Sequence, residues 1–572
     1  MLPAPASRKF PALADVLAAL IVAFLAAAVF LPGIKWGLPS SLLADQLFPK
    51  SAVPMTGKEV LALTPGFRAG KQATAADLDR NPVTPQSTTP TQLNTTDAQR
   101  AEIILRYRLY SNQPDEMLTF RALATMLPGS LKLDPHMYHY GGLWIYPVGG
   151  LIKALDFPDV ITVSHDLSLY LDNPSLFADF YIVARLYTVF WMALGAVAVF
   201  TLARLMNCSR LWAVFTAALW CATPGVICFG HEAKPHIPAV SISLWCLTAA
   251  AAGRWKTSAF LAGSAASMVP SAAVATLIPI TYVIFWHAPW CTCKHSIFRR
   301  DSIWRTLATI AIAGATYFVF NPYVLANSST LLANSANVAS AYSTSTPIHT
   351  VFAALWKLSE ATSRLTLLAG SCAIIAILAW RKHEQMRPLA GLLLLAFPAA
   401  LAATIPAAIF TPNSPADTAR FFLLASSLLA IFLMLATATL MPQWWKRTLL
   451  LLLVAVPQMM HSGAYLRGYL ADTNPATSTR AVAAEQINRA IREQGVTAVY
   501  VPNELAPYAA PPINLWQASI LLSPPIHTTG ASLPQNSAEL VAPLLPGHTP
   551  MSHASRLFLV RMNASVPRDA GE

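Results

Sequence analysis

Two adjacent carboxylates, Asp115 and Glu116, follow Pro114 in the long polar stretch between the first apolar segment and the next. Pro-Asp-Glu is ordinary loop and helix-start chemistry, so a solvated turn is the plain reading. The rest of the chain is mostly lipid-soluble, however, and carboxylates held against a bilayer face call for an explanation. Partial desolvation raises a carboxylate's proton affinity, which makes it a better base. A second cluster, Cys291-Thr292-Cys293 with His287 and His295, has the residue types of a metal site, although such clusters at helix ends are more often incidental. A divalent metal is therefore an open cofactor question, and no residue is assigned to one.

Composition restricts what can surround these groups. Of 572 residues, 55% are hydrophobic and only 12% charged, with mean hydropathy +0.47. Soluble proteins carry roughly 25% charged residues, so this is a polytopic membrane protein. The net charge of +12 is read as the Lys/Arg bias of cytoplasmic loops, because nothing in the chain resembles a nucleic-acid module. The seven cysteines, Cys208, Cys221, Cys228, Cys246, Cys291, Cys293 and Cys372, fall in apolar spans or predicted cytoplasmic loops. The two large polar regions hold none, so no disulfide framework braces them.

The first apolar stretch, 12–31, follows Arg8 and Lys9 and is long enough to cross a bilayer of roughly 30 Å. A cleaved signal peptide has the same basic start, but the many later spans favour a retained helix. Residues 33–99 are rich in Pro, Thr, Ala and Gln and cannot bury enough apolar surface to fold alone. From about Ala101 the pattern turns helical, with Leu118, Leu123 and Met126 predicted along one interfacial face.

Further apolar spans fall at 182–205, 211–229, 237–252, 259–286, 307–325, 365–380, 389–410, 421–441 and 449–465. Arg204 with Arg210, Arg254 with Lys256, the group Lys294, Arg299, Arg300 and Arg305, then Arg381, Lys382 and Arg387, and finally Lys446 and Arg447 all read as cytoplasmic. Both flanks of 259–286 are then inside, which predicts two half-length helices turning near Pro270. Eleven crossings result, with a cytoplasmic N-terminus and an external C-terminus. The short, Gly- and Pro-broken segment 141–155 is predicted to lie on the outer surface. Counting it as a span would bring Asp156, Asp159, Asp166, Asp172 and Asp179 inside. In the tail, 479–493 reads as an amphipathic helix and 496–502 and 557–561 as strands. The fold class is thus an all-α polytopic membrane protein with a small α/β domain at its C-terminus. Its parts are a first helix (1–32), a long external loop (33–181), a bundle (182–465) and an external tail domain (466–572).

Pro114-Asp115-Glu116, followed by Asp134-Pro135-His136-Met137-Tyr138-His139-Tyr140-Gly141-Gly142-Leu143-Trp144-Ile145-Tyr146, resembles the first external loop of GT-C glycosyltransferases. The branch it is most similar to is the protein-mannosyltransferase and aminoarabinose-transferase type. Arg185 fits the Arg that opens the next span in that family, and Gly230-His231-Glu232, Asn321-Pro322-Tyr323 and Ala419-Arg420-Phe421-Phe422 match later span ends more loosely. In the tail, the run from Thr479-Arg480-Ala481 to Ile487, then Ala506-Pro507-Tyr508 and Pro511-Pro512, is similar to the external appendage of bacterial members.

The resemblance implies transfer of a sugar from a polyprenyl-phosphate donor to a glycan, lipid or protein acceptor, on the outer face of a bacterial cytoplasmic membrane. It implies Asp115 as the base towards the acceptor hydroxyl, with Glu116 supporting it or binding acceptor. Arg185, Lys234 and Arg420 become the candidates for the lipid phosphate, where Arg binds in bidentate fashion. His231, His236, His136 and Tyr140 complete the substrate-binding candidates, and His139 shares the position of His136. Each has a plainer reading. Arg185 and Arg420 are placed to snorkel to headgroups, Lys234 and His231 to be ordinary interfacial residues, and His136 and His139 to be solvated loop histidines. Trp144 and Tyr146 are expected to be interfacial anchors. Two positions depart from the family pattern: His236 stands where an Asp is usual, and Val269-Pro270 where a Lys is usual. They leave three openings: a swapped charge arrangement with Lys234 and His236, a different donor, or an inactive relative serving as a scaffold. A transporter is the remaining class, but the spans carry few ionisable residues at their centres and show no convincing repeat.

Overall fold

The computed structural model describes residues 13–65, 91–286, 300–332, 355–356, 358–409, 419–476, 478–502, 511–523, 537–542 and 555–560. The segment around Thr84–Thr89, the Cys291/Cys293 cluster with His287 and His295, and Ala506-Pro507-Tyr508 lie outside them. The described chain is mostly helical. Six helices are long and apolar enough to cross a membrane: Leu13–Phe30, Pro174–Leu205, Ser302–Phe320, Arg387–Thr404, Arg420–Leu440 and Trp444–Ala471. They become seven when Arg210–Cys221 and Pro224–Gly230, bent by 66°, are taken as one broken span. Pro224 explains the break, since proline has no N–H to donate and its ring collides with the preceding turn. His236–Ala251, Pro270–Phe285 and Arg364–Ala379 are shorter apolar helices.

The helices differ in what covers them. Arg420–Leu440 has 89% of its apolar window buried inside the protein, whereas Leu13–Phe30 has 17% and leaves Leu13, Leu17, Leu20 and Phe24 exposed. A helix as apolar on its open side as on its packed side is suited to lipid rather than water.

Helix Trp255–Met268 ends where Val269 becomes extended, and a 3-10 stretch, Pro270–Thr276, leads into Leu277–Trp286. Gly263 lies against Ala313 and Thr316, so Trp255–Met268 packs directly on the helix Arg300–Phe320. Farther along, Gly141 donates its N–H to Met268 O, while its neighbour Gly142 lies against Phe320 O. Both helices therefore advance in the same direction and finish at one level. A parallel pair requires the chain to come back between them, and it does so between Met268 and Arg300.

The Gly141-Gly142 pair docks the polar loop onto this level. Gly141 N–H reaches Met268 O at 2.8 Å and Gly142 N–H reaches Asn321 Oδ1 at 2.7 Å. A Cβ on Gly141 would fall 2.0 Å from Ser267 O, and one on Gly142 would fall 1.9 Å from Phe320 O, so only glycine permits the approach. From this anchor runs the helix Gly142–Asp156, against which Leu123 of the helix Met117–Ala124 packs at Gly149. Trp144 corrects an expectation. It is fully buried and donates its indole N–H to Thr119 Oγ1 at 2.9 Å, because the loop helices cover it where a headgroup layer was expected.

The tail supplies four strands of a five-stranded sheet in the order β1-β3-β2-β5-β4, with β1 Thr91–Gln92, β2 Ala498–Pro502, β3 Ser519–Ser523, β4 Ser537–Ala542 and β5 Ser555–Val560. Strand β2 runs parallel to β3, and the other neighbours are antiparallel. Helix Thr479–Gln494 buries Ala481, Ala484, Ile487 and Ile491, a helical stripe, and is closed by Gly495 in the left-handed region. β1 belongs to the polar loop, not the tail. Beside it, Asn94 Nδ2 donates to Leu515 O and Ala518 O at 2.8 Å, and Ile520 N–H donates back to Asn94 Oδ1 at 3.0 Å. Loop and tail are thereby packed as one body above the bundle.

Candidate functional site

Three short segments converge at the helix ends: the turn 111–116, the turn 231–235 after the broken span, and the loop 134–140 ahead of the Gly-Gly anchor. Asp115 sits at the centre of a 3-10 turn, Pro114–Glu116, with Gln113 capping it through Oε1 to the Asp115 N–H at 3.3 Å. Its carboxylate meets Lys234 Nζ at 2.8 Å. The Asp115 side chain is 22% exposed and that of Lys234 only 3%, so the carboxylate lies nearer the surface and the ammonium behind it.

Glu116 points the other way, into the protein. Arg185 grips it with two bonds, Nε to Oε1 at 2.9 Å and Nη2 to Oε2 at 2.7 Å. Ala233 N–H and Ser111 Oγ also donate to it. The remaining Arg185 nitrogen donates to Ile34 O and Trp36 O at 2.8 and 2.7 Å, and the guanidinium lies over the Trp36 ring at 5.0 Å. Both side chains are essentially sealed, and both charges are filled by protein partners. This pair is a rivet joining the polar loop, the Pro174–Leu205 helix, the chain after the first helix and the 231–235 turn. The geometry gives Glu116 a supporting part and leaves Arg185 no free face for a phosphate.

Glu232 is the carboxylate that sequence reasoning passed over. It is fully buried, accepts from Gln113 Nε2 at 3.1 Å, and its second oxygen lies 3.5 Å from Lys234 Nζ. Burial pushes its proton affinity up to about 7; Lys234 and Gln113 hold it down, while Glu116 and Asp115 add to the rise. Burial also pulls Lys234 towards neutrality, but Asp115, Glu232 and Tyr140 outweigh it and hold the ammonium above its ordinary range. Lys234 therefore stays charged, and Glu232 is the acid nearest neutrality. One signal for it was available: a glutamate between two apolar segments has to find a partner or a proton.

Tyr140 and His236 form the far wall, their rings 6.2 Å apart and edge to face, and His236 Nε2 has no hydrogen-bond partner among the described residues. The charge of Arg420, from the 3-10 turn Ala419–Phe422, is felt at His139, Tyr140 and His236. Burial, then Arg420, lowers His139 below its ordinary value, so it is a neutral imidazole at pH 7. Asp115, Lys234, Glu232, Tyr140, His139, His236 and Arg420 thus form one cluster.

Two candidates fall elsewhere. Both ring nitrogens of His231 face backbone carbonyls, Ile227 O at 2.7 Å and Pro32 O at 3.1 Å, and the ring stacks on Tyr469 at 4.6 Å. Trp36 donates its indole N–H to His231 O at 2.8 Å, so this histidine ties the first helix to the broken span. His136, with positive φ, is exposed and belongs to a loop network. Asp134 accepts from its N–H at 2.9 Å and from Tyr138 OH at 2.9 Å, and also holds Asn327. Among the described residues, no group of three or more His, Cys, Asp or Glu is arranged to hold a metal ion.

Fold and site together define a helical membrane protein with a charged cluster where its helix ends meet a folded polar cap. Compared with protein families, curated proteins and solved structures, the chain matches no family model, no curated protein and no solved structure.

Proposed function

We propose that this chain is a membrane glycosyltransferase, moving a sugar from a polyprenyl-phosphate donor to an acceptor hydroxyl at the outer face of a bacterial cytoplasmic membrane. One observation carries the reading: a partly exposed carboxylate, Asp115, is paired with a buried ammonium, Lys234, and the charge of Arg420 is felt at Tyr140 and His236 beside them. A base and two cations at one membrane end are what transfer from a phosphate-linked donor requires.

In the proposed step the acceptor oxygen bonds to the anomeric carbon as the bond from that carbon to the phosphate oxygen breaks. The electron pair leaves with polyprenyl phosphate, held by Lys234 and Arg420, and the hydroxyl proton passes to Asp115. The Lys234 contact occupies an Asp115 oxygen that would otherwise be open to a hydroxyl proton. A donor phosphate that draws Lys234 towards itself would free the carboxylate, so donor binding and base activation become one event in this reading.

Eleven crossings with the charged cluster outside are the topology we propose, and charge placement supports it. Arg204 and Arg210 both pair with Asp15, at 3.1 and 2.8 Å, which puts the turn after Pro174–Leu205 beside the start of the first helix. The site gathers at the opposite end, near Pro32 and Trp36. Lys/Arg-rich turns mark the cytoplasmic side, and the cap with its sheet then lies outside.

The test compares release of polyprenyl phosphate from a panel of radiolabelled polyprenyl-phosphate sugars by native protein in lipid and by Asp115→Asn. Loss of a general base costs about 10²- to 10⁴-fold, so release should nearly vanish. Equal release in both proteins removes Asp115 as the base. No release by native protein with any donor sinks the transferase reading in favour of an inactive scaffold or a transporter.

A further inference from the structure

The turn 127–132 holds two large apolar side chains out of the polar loop. It follows the helix Met117–Ala124, and Leu127 and Lys132 close its base. Leu127 N–H donates to Lys132 O at 2.7 Å, and Lys132 N–H donates to Leu127 O at 3.2 Å. Ser130 Oγ adds a bond to Leu127 O at 3.1 Å. Leu131 is held in the left-handed region, uncommon for a leucine, and stands 80% exposed, with Leu127 exposed as well. A solitary exposed leucine is ordinary, and a tight turn facing water is usually made of polar residues around its Gly and Pro. Two leucines fixed outward on a closed turn point to an occupant.

The place of the turn says what that occupant is. Next to it, Leu133 N–H donates to Tyr323 OH at 3.3 Å, and Asn327 Nδ2 donates to Asp134 Oδ2 at 2.6 Å. Tyr323 and Asn327 come directly after the span Ser302–Phe320, whose apolar window is only 17% buried. Phe318 and Val319 at the end of that span and Leu325 past it are exposed, so its lipid-facing side continues up to the segment that carries the turn. No acid interrupts the run from Met126 to Lys132, and exposed Lys132 is the kind of side chain that reaches headgroup phosphates from a shallow position. We infer that the turn 127–132 inserts Leu127 and Leu131 into the lipid leaflet at the cap's end of the bundle. The contact differs from the one the sequence pattern suggests. Met126 and Trp144 are buried and Leu123 packs at Gly149, so lipid is met by the turn beyond them. The loop 133–140, which brings His139 and Tyr140 to the charged cluster, is thereby held by lipid at one end and by Gly141 and Gly142 at the other.

The experiment uses the full chain in phosphatidylcholine nanodiscs holding one copy each, with Cys291, Cys293 and Cys372 replaced by serine and the buried cysteines kept. An environment-sensitive nitrobenzoxadiazole label is placed at Leu131→Cys, at Leu20→Cys on the exposed side of the first helix, and at Gln494→Cys on the cap. The label at Leu131→Cys should emit to the blue of that at Gln494→Cys and be quenched by nitroxide-bearing lipid, as at Leu20→Cys. Its quenching by iodide should be roughly fivefold weaker than at Gln494→Cys, since interfacial apolar groups sit about 5–10 Å into the headgroup boundary. A label that nitroxide lipid does not quench overturns the inference, whether iodide reaches it as at Gln494→Cys or protein covers it. So does a blue shift that appears only in discs loaded with two copies, since a second chain then covers the turn. If Leu131→Cys does not fold, Leu127→Cys decides by the same criteria.

Discussion

Three carboxylates and two ammonium or guanidinium groups meet around the 231–235 turn, and their inequality sets how each behaves. Arg185 is spent on Glu116, and Lys234 is divided between Asp115 and Glu232. Glu232, the most buried of the two that share it, is left holding a proton up to about pH 7. A carboxyl whose folded value is raised binds more protons folded than unfolded. Its contribution is therefore complete below its unfolded value of 4.5 and is lost as pH rises through about 7. Buried His231, lowered to about 4, acts in the opposite sense over the lower part of this range, so the Glu232 part is read as a difference: from pH 4.5 to 8 in lipid the Tm of the native protein should fall relative to that of Glu232→Gln. A difference with no slope there would mean that Lys234 neutralises Glu232 as fully as it does Asp115.

At the scale of elements, the charged cluster depends on one approach of backbone to backbone. Gly141 and Gly142 press against the ends of two parallel helices, and the loop carrying His139 and Tyr140 hangs from that contact. Gly142→Ala places a methyl 1.9 Å from Phe320 O, too close for a side-chain rotation to relieve. The helix Gly142–Asp156 must lift, at a cost of about 1–3 kcal/mol of overpacking. The bundle should remain folded while donor release falls at least tenfold, a split read by comparing Tm with release; unchanged release would detach the loop from the site. The sequence pattern reveals the helix over 141–155 but not what covers it. Trp144 reads as an anchor because a short Gly- and Pro-broken helix looks interfacial, and only the Thr119 contact shows it buried. Lipid also erases the usual contrast between inside and outside. Leu13–Phe30 and Leu423–Leu440 are alike in composition, yet one lines the surface and the other the centre. The Asp115–Lys234 contact spans 119 positions, so single-sequence spacing could nominate both partners but not join them.

The whole molecule is a bundle with a cap assembled from two distant parts of the chain, and the proposed chemistry needs that cap on one side of the membrane. The proposed sidedness rests on charge and packing: Arg204 and Arg210 at Asp15 mark one end, while the rivet of Glu116 and Arg185 beside Trp36 marks the other. The tail shares a sheet with the polar loop through β1, so tail and charged cluster must lie on the same side. Single cysteines at exposed positions read this directly, since Cys208, Cys221, Cys228 and Cys246 are buried and only Cys372, Cys291 and Cys293 need replacement by serine. In that background Gln494→Cys, on the cap, should react with a membrane-impermeant maleimide in intact cells. Lys382→Cys, in the Lys/Arg-rich turn before the Arg387 helix, should react only after permeabilisation. The reverse pattern would place the charged cluster in the cytoplasm and remove the externally presented lipid-linked donor on which the proposed transfer depends. Labelling of both in intact cells would break the parity of eleven crossings while leaving the cluster's local geometry untouched.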